Sequence, residues 1–239
     1  MKKLLVIGLT WPEPSTTAAG NRMLQLLHFF ADAGYQIVFG SASKETEYTM
    51  DLLGMGISKM PLVLNHASFD AFLMDLKPDV VLFDRFLTEE QFGWRVKQQL
   101  PETLRILNTE DLHSLRQARE KALISDQEFS NTAWAQADVT KREIASIYRS
   151  DLSLIVSDHE MRLLTQDLKI DPALVFHLPF MLNGITKTVA QKWPLFQERK
   201  DFITYGNGKH APNRDAIRYL KNTIWPLIRK RMPQARIWI

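Results

Sequence analysis

Short apolar runs alternate along the chain with longer amphipathic stretches. The runs are continuous rather than polar at every second position, which is the pattern of parallel strands covered on both faces. We predict strands over residues 4–7, 36–39, 61–64, 79–83, 104–107, 152–156 and 174–176, and helices over 21–33, 45–53, 69–76, 89–99, 115–149 and 159–168. This alternation of strand and helix predicts an α/β fold with a doubly wound parallel sheet.

The pattern changes after residue 180. Residues 181–200 contain Asn183-Gly184 and Trp193-Pro194 and show little periodicity, so we interpret them as a linker. Residues 201–239 then repeat the opening of an α/β unit, with a strand, a glycine turn, a helix and a second strand. We therefore predict one complete domain over 1–180, a linker over 181–200 and an incomplete second domain over 201–239.

Composition is that of a soluble globular protein. Hydrophobic residues make up 45% and charged residues 24% of the 239 residues, and no apolar run approaches the ~18 residues that span a bilayer. Pro12 and Pro14 interrupt the apolar start too early for a signal peptide, so we interpret it as a first buried strand and predict a cytoplasmic location. The absence of cysteine excludes disulfides and thiolate zinc sites.

Charge is unevenly distributed although the net charge is only +3. Residues 214–236 hold seven Lys or Arg and one Asp, which is 7 − 1 = +6. An apolar stripe backs this basic face, so the segment is either a solvated helix over a core or a contact for an anionic membrane surface or a phosphorylated ligand. No recognition motif accompanies the charge, and we predict no nucleic-acid partner.

Ligands of parallel sheets bind beyond the carboxyl ends of the strands, so the loops there are the candidate sites. The first loop ends in Gly20-Asn21-Arg22 and opens a helix, whose N-terminus can hold an anion or a sugar hydroxyl. Alternatively, these residues form a surface loop that caps the helix and binds no ligand. The sequence has no GxGxxG fingerprint.

The next two loops carry more chemistry. Asp84-Arg85 follows the most hydrophobic strand and is interpreted either as a ligand contact or as a structural ion pair. The loop after the following strand brings together two carboxylates, an imidazole and a guanidinium, which can position groups and move protons. These four residues are Glu110, Asp111, His113 and Arg116.

A fourth loop has a structural explanation. Ser157 is predicted to cap a helix with Glu160 three residues later, which is the pattern of a capping box. We predict no metal site, because the chain has no Asp-x-Asp and no HExxH and its histidines are scattered.

The same segments resemble the N-terminal domain of a GT-B glycosyltransferase of family 4, also called glycosyl transferase group 1. The resemblance covers nearly the whole chain and rests on the order and spacing of short motifs. They are Gly20-Asn-Arg22, Pro78-Asp-Val-Val-Leu-Phe-Asp-Arg85, Asn108-Thr-Glu-Asp-Leu-His113, Val156-Ser157-x-x-Glu160 and Tyr205-Gly-Asn-Gly-Lys-His-Ala-Pro-Asn213 with Trp225-Pro226. It implies two Rossmann-like domains, the second incomplete here.

By this resemblance the chain transfers sugar from a nucleotide-sugar donor to an acceptor glycan, lipid or small molecule, without a cofactor or a metal. Family members bind the donor mainly on the C-terminal domain and the acceptor mainly on the N-terminal one. The roles implied are catalysis by His113 and Asp111, substrate binding by Gly20, Asn21, Arg22, Arg85, Glu110 and Arg116, and donor-phosphate binding by Gly206, Asn207 and Lys209.

The family's Glu-x7-Glu motif belongs further into the C-terminal domain. Two pairs have this spacing, Glu102 with Glu110 and Glu120 with Glu128, but both lie in the N-terminal half, and we do not assign them to the motif. We therefore expect the acceptor-side domain and the start of the donor-side domain, as a fragment or a truncated product. The alternatives are a non-catalytic module that binds a glycan or a partner, with self-association through the edge at 235–239, and a nucleotide-sugar epimerase of the same shape.

Overall fold

Seven parallel strands form the central sheet. The computed structural model describes residues 1–182, 184–208 and 210–239, and it divides the chain into an N-terminal unit, Met1–Met181, and a C-terminal unit, Leu182–Ile239. The sheet of the N-terminal unit has the order β3-β2-β1-β4-β5-β6-β7, with every neighbouring pair parallel. The strands are β1 (Lys3–Gly8), β2 (Gln36–Ser41), β3 (Ser58–Pro61), β4 (Val80–Asp84), β5 (Leu104–Asn108), β6 (Leu152–Ile155) and β7 (Val175–His177).

Helices connect these strands and confirm the doubly wound α/β fold. They are α1 (Ala18–Asp32), α2 (Ser68–Leu76), α3 (Phe86–Gln99), α4 (His113–Ile124), α5 (Asn131–Gln136), α6 (Asp138–Arg149) and α7 (Asp158–Arg162), the last continuing as a π-helical turn over Leu163–Asp167. The chain adds β2 and β3 on one side of β1 and then returns to add β4 to β7 on the other side. The gap between β1 and β4 is therefore the topological switch point, where ligands bind in such sheets.

Two predicted helices differ from the structure. The helix predicted over 45–53 is wrong, because Thr46, Thr49 and Asp51 bond their oxygens to nearby backbone N–H groups and so compete with helix formation. The stretch 115–149 is three helices rather than one. It breaks at Asp126, which has a φ of 50°, and α5 begins after the N-cap Ser130. The third strand lies three residues earlier than predicted.

Both faces of the sheet are buried, which explains the continuous apolar runs. In β1, Leu5 and Ile7 join the hydrophobic cluster on one face, while Leu4 and Val6 join the cluster on the other. All four side chains are almost completely buried. The rigid centre of the sheet therefore holds the polar residues that follow its strands in fixed positions.

The C-terminal unit is built differently. Its described residues form a two-stranded parallel sheet and three short helices, with a π-helical turn over Leu220–Ile224 just before Pro226. None of its described side chains is buried. Leu227, in the segment 214–236 where an apolar stripe was predicted to back the basic face, is 59% exposed. No helix among the described residues of the chain could cross a membrane. The elements are α8 (Lys187–Ala190), β8 (Phe202–Ile203), α9 (Ala211–Tyr219), α10 (Trp225–Arg231) and β9 (Ile237–Trp238).

Candidate functional site

A cavity lies at the switch point of the sheet. It has a volume of about 280 Å³ and is bounded by the loop after β1, the first turn of α1 and the end of β4. Asp84 and Arg85 contribute its polar wall, together with Glu13 and Thr17. The carboxyl ends of β4 and β5 meet beside it, because Asp84 is paired in register with Asn108. The loops after β1, β4 and β5 thus converge on one place.

Asn108 is the centre of the polar network at this place. Its side chain is fully buried, and its oxygen accepts a hydrogen bond from Nε of Arg22 at 3.0 Å. Its amide nitrogen donates to Glu110 at 2.7 Å and to Asp84 at 3.3 Å. Its backbone carbonyl accepts from the backbone N–H of Arg85 at 2.7 Å. Asn108 was not among the predicted site residues, although a polar residue ending a buried strand is a usable signal.

Arg22 lies inside the protein rather than on the wall of the cavity. Its side chain has no exposed surface, and Nη1 donates to the backbone carbonyl of Pro179 at 3.2 Å. Glu110 is its ionic partner, with 4.0 Å between Nε and Oε1, and the Phe180 ring stacks near its guanidinium. Nη2 has no partner among the described residues. Arg22 thus contacts Asn108 in the structure. Its direct contact with a substrate remains a prediction.

Burial raises the pKa of both carboxyls in this network. The pKa of Asp84 rises because its side chain is buried, while Arg85 and the hydrogen bond from Asn108 act in the opposite direction. Burial, followed by the negative charge of Asp84, raises the pKa of Glu110 to about 7. One buried arginine thus faces two carboxyls that resist being ionised together.

Arg85 combines backbone strain with a free side chain. Its φ of 72° and ψ of 155° lie in a region that is essentially confined to glycine. No hydrogen bond and no ion pair within 4 Å joins its guanidinium to another described residue, although its positive charge still acts on Asp84. Such strain persists where the surroundings impose it, and it is typical of functional sites. A cation on the cavity wall is therefore available to a ligand.

Glu110, the other carboxylate of the network, also has strained backbone. Its φ is 63°, which turns the chain sharply after β5 and directs the side chain back to Asn108. The predicted cluster of Glu110, Asp111, His113 and Arg116 therefore divides into two parts. Glu110 joins the buried network, while the other three residues interact with one another at the start of α4.

His113 is held as a neutral imidazole. Nη2 of Arg116 lies 2.9 Å from Nε2 of His113, and because arginine can only donate, Nε2 must be the acceptor. The proton of the neutral ring is therefore on Nδ1. Burial, followed by the charge of Arg116, lowers the pKa of His113, which agrees with this state.

Nδ1 of His113 is a hydrogen-bond donor without an acceptor. The nearest carboxylate oxygen, Oδ1 of Asp111, is 3.7 Å away, and Asp111 bonds Arg116 at 2.7 Å instead. Nδ1 is buried and has no partner among the described residues. A buried donor without a partner is costly, so this N–H is suited to an incoming oxygen atom. The arrangement favours hydrogen-bond donation over proton abstraction.

Glu143 and Glu160 complete the site from distant elements. Glu143 of α6 accepts hydrogen bonds from the backbone N–H groups of His113 and Ser114, and Glu160 of α7 accepts from that of Leu112. The predicted cap at Ser157 is present, but the carboxylate of Glu160 goes to Leu112 rather than back to Ser157, so the capping-box prediction is wrong. Glu143 lies 30 residues from His113, so the sequence around His113 carries no signal of this contact.

Gly20 has a packing reason of its own. A Cβ atom there would overlap the backbone of Glu13, and the N–H of Gly20 already donates to the N-cap oxygen of Thr17 at 2.9 Å. Gly20 still lines the cavity, so its predicted contact with substrate remains a prediction. The side chain of Asn21 is exposed and accepts a hydrogen bond from Gln25.

The predicted donor-phosphate residues lie in the C-terminal unit. Asn207 accepts hydrogen bonds through its carbonyl from the N–H of His210 and from the side chain of Asn213, just before α9. A Cβ at Gly206 would come within 3.0 Å of Asn213. Asn183 and Lys209 lie outside the described residues. In the described part of the chain no three His, Asp or Glu side chains are grouped as metal ligands.

Solved structures share this architecture. The sucrose-phosphate synthase from Thermosynechococcus elongatus has a TM-score of 0.53 and 14% identity, over 86% of this chain and 56% of that protein. The lipopolysaccharide outer core galactosyltransferase WaaB, in its apo form, has a TM-score of 0.53 and 12% identity, over 84% and 51%. The chain has a GT-B glycosyltransferase fold. It spans about half the length of these two proteins.

Other comparisons add little. The UDP-GlcNAc 2-epimerase from Neisseria meningitidis has a TM-score of 0.47 and 15% identity, over 99% of this chain and 65% of that protein, which is too distant to support an argument. No protein-family model matches the chain, and the search of curated proteins found no match. The GT-B fold is thus established by structure, while the assignment to family 4 remains a prediction.

Replacement of Gly20 by alanine tests its packing role. We expect Gly20→Ala to lower the free energy of unfolding by about 1–3 kcal/mol, because the new methyl group meets the backbone of Glu13. Gly184→Ala is the matched control, since a Cβ there meets nothing within 4 Å. Urea denaturation of both variants measures the effect. Equal stabilities would show that Gly20 is not required for packing.

Stability should depend on pH through Glu143. Burial raises its pKa from 4.5 to about 7, so between these values the folded protein keeps a proton that the unfolded chain has lost. The free energy of unfolding must then fall as pH rises through this window and level off above it, by on the order of 1–3 kcal/mol. Urea denaturation between pH 4.5 and 8 measures the fall. Glu143→Gln should remove its share, and equal pH dependence in both proteins would contradict this assignment.

Proposed function

We propose that the chain is the acceptor-side half, with the beginning of the donor-side half, of a glycosyltransferase that uses a nucleotide-sugar. The observation that supports this most is the strained Arg85, which makes no close ion pair with another described residue, on the wall of the switch-point cavity. The loop after the neighbouring strand adds a buried imidazole nitrogen of His113 without a partner among the described residues. Sugar transfer from a nucleotide-sugar is favoured by hydrogen-bond donors to the sugar oxygens and by a cation near the leaving phosphate.

Arg85 is proposed to bind an anionic group of the substrate. Arg85 is half-buried and its guanidinium has no competing close ion pair with another described residue, so a phosphate or carboxylate could be bound in a bidentate manner. Its charge also acts on His113, where it contributes to the lowered pKa. We propose that one ligand contacts both groups.

His113 is proposed to donate its Nδ1–H to an oxygen of the transferred sugar. Arg116 fixes the tautomer, and Phe86 packs edge-on against the imidazole with 6.0 Å between ring centres. In this role His113 orients the sugar and stabilises charge that develops on it, without accepting a proton itself. Asp111 acts through Arg116, because its carboxylate bonds that side chain and not the imidazole.

The partners proposed are a nucleotide-sugar and an acceptor glycan, lipid or small molecule, with no cofactor or metal and with a cytoplasmic location. WaaB is named as a galactosyltransferase and the other similar protein as a sucrose-phosphate synthase. Among the residues of the N-terminal unit, Arg85 is a cation on the cavity wall and His113 a neutral donor, which suits stabilisation of a leaving phosphate by protein groups. Peripheral contact with an anionic membrane through the basic helices α9 and α10 belongs to the same proposal.

A non-catalytic binding module is the second candidate. It is favoured by the N-terminal unit, whose cavity and Arg85 can hold a ligand without any residue of the C-terminal unit. Such a module would bind a glycan at the cavity of the N-terminal unit, or a second copy along the exposed β9 edge, without transferring sugar. Donor binding distinguishes the two candidates.

Ligand binding to Arg85 can be measured by thermal shift. We expect one class of UDP-, GDP-, ADP- or dTDP-sugar to stabilise the protein, by about 2.7 kcal/mol at 100 times its dissociation constant. Arg85→Gln should weaken that binding about tenfold or more, because a charge-assisted hydrogen bond is lost. Arg162→Gln, an exposed arginine on α7, is the control for loss of one positive charge. Unchanged binding by Arg85→Gln would remove Arg85 from the site, and no shift with any donor would favour the binding module.

The role of His113 can be tested by assaying transfer to glycan acceptors. Its replacement by alanine should lower kcat by about 10²–10³-fold, which is typical for loss of one donor that stabilises developing charge. His113→Gln should keep part of the activity, because the glutamine amide can still donate. His159→Ala is the matched control, since His159 also accepts from an arginine, Arg119, but at an exposed position. Full activity of His113→Ala would refute the proposed role.

A further inference from the structure

Helix α4 begins without a cap of its own. Its N-cap residue is Leu112, whose side chain has no oxygen, and the preceding Asp111 bonds Arg116 instead of the helix end. The N–H groups of Leu112, His113 and Ser114 therefore depend on acceptors from elsewhere. Leu112 and Ser114 are buried, so water is not an adequate substitute.

One carboxylate takes two of these N–H groups. Glu143 accepts from the N–H of His113 at 2.8 Å through Oε1, and from that of Ser114 at 3.1 Å through Oε2. The same Oε2 accepts from the hydroxyl of Ser114 at 2.6 Å, and that hydroxyl accepts from Nε1 of Trp134 at 2.9 Å. Trp134 and Glu143 are buried, so this chain of bonds is enclosed in the protein.

The remaining N–H group has a separate partner. Leu112 donates to Oε1 of Glu160 at 3.0 Å. Two carboxylates from two other helices thus occupy the N-terminus of α4. A helix N-terminus is otherwise suited to phosphate, but here internal carboxylates already use its first N–H groups. A phosphate of the substrate must therefore bind to other groups of the site.

We propose that Glu143 is the residue that positions His113 for the transfer reaction. This inference rests on the proposed function and deepens it, because it names a group that holds the backbone of His113. The two-oxygen contact fixes both the height and the rotation of the first turn of α4. His113 occupies the first position of that turn, and Arg116, which sets its tautomer, lies one turn further along the same helix.

Small errors in this geometry would be costly to the reaction. A displacement of about 1 Å in a group that contacts the reacting centre can lower a rate about 100-fold. If Glu143 is lost, the first turn of α4 can shift or fray while the rest of the helix stays packed through Leu115. Glu143 itself does not touch the substrate in this proposal and is not a catalytic residue.

Amide hydrogen exchange tests the positioning directly and does not need enzymatic activity. In Glu143→Ala we expect the N–H groups of His113 and Ser114 to exchange about tenfold faster or more, because each loses its hydrogen-bond acceptor. The N–H of Leu112 should stay protected by Glu160 and is the internal reference. Glu120→Gln, an exposed change on α4, is the matched control.

A second variant guards against misfolding. Glu143→Gln keeps one acceptor oxygen, so it should restore protection to one of the two N–H groups if the alanine variant is too unstable to study. Nitrogen NMR of the imidazole should show His113 protonated on Nδ1 in the wild type and a mixture of tautomers in Glu143→Ala. Exchange and imidazole signals like those of Glu120→Gln in both variants would overturn the proposal.

Kinetics separate this inference from the proposed function. If the chain transfers sugar, Glu143→Ala should lower kcat by at least tenfold with little change in KM for the donor, and Glu143→Gln should recover part of it. An equal loss in Glu120→Gln would contradict a specific role. If no donor supports transfer, the proposed function fails, while the exchange and imidazole measurements still decide whether Glu143 positions His113.

Discussion

The buried contact between Arg22 and Asn108 is the constraint on which the candidate site depends. A fully buried guanidinium needs acceptors and negative charge, and Asn108, Glu110 and the carbonyl of Pro179 supply them. Asn108 can do this because it ends β5 beside the end of β4, so one side chain reaches helix α1 and both carboxyls. The strained backbone of Arg85 is bonded to the carbonyl of the same residue. The cation facing the cavity is thus held by the network behind it.

Two helix N-termini at this edge of the sheet are used in opposite ways. At α1 the cap is local, through Thr17, and the helix begins on the wall of the cavity. At α4 the cap comes from Glu143 and Glu160, whose carboxyl oxygens already accept the first N–H groups of that helix. Positive potential for a phosphate is therefore concentrated near α1 and Arg85, while α4 presents a neutral imidazole. This separation suits a reaction in which one group binds an anion and another donates to a sugar.

Much of the fold could be predicted from the sequence, because burial on both faces leaves a clear signal. The apolar runs located six of the seven strands of the sheet closely and the third three residues too late, and the helices around Leu26, Phe69 and Phe92 were found from their spacing. The prediction failed over 45–53, where side-chain oxygens of Thr46 and Asp51 bond the backbone instead. Periodicity records which residues are apolar, but it does not record this local competition.

The site was predictable only in part. The sequence shows which polar residues follow the strands, but it does not show which of them form hydrogen bonds with one another. Asp84, Arg85, Glu110 and His113 follow strands, so their neighbourhood could be inferred from the order of the sheet. The tautomer of His113 could not be inferred, because it depends on whether Asp111 or Arg116 forms the hydrogen bond to the imidazole. Arg116 does, and it leaves Nδ1 as a donor. A carboxylate next to a histidine in sequence suggests proton transfer, yet in this fold the arginine three residues later converts the same imidazole into a fixed hydrogen-bond donor.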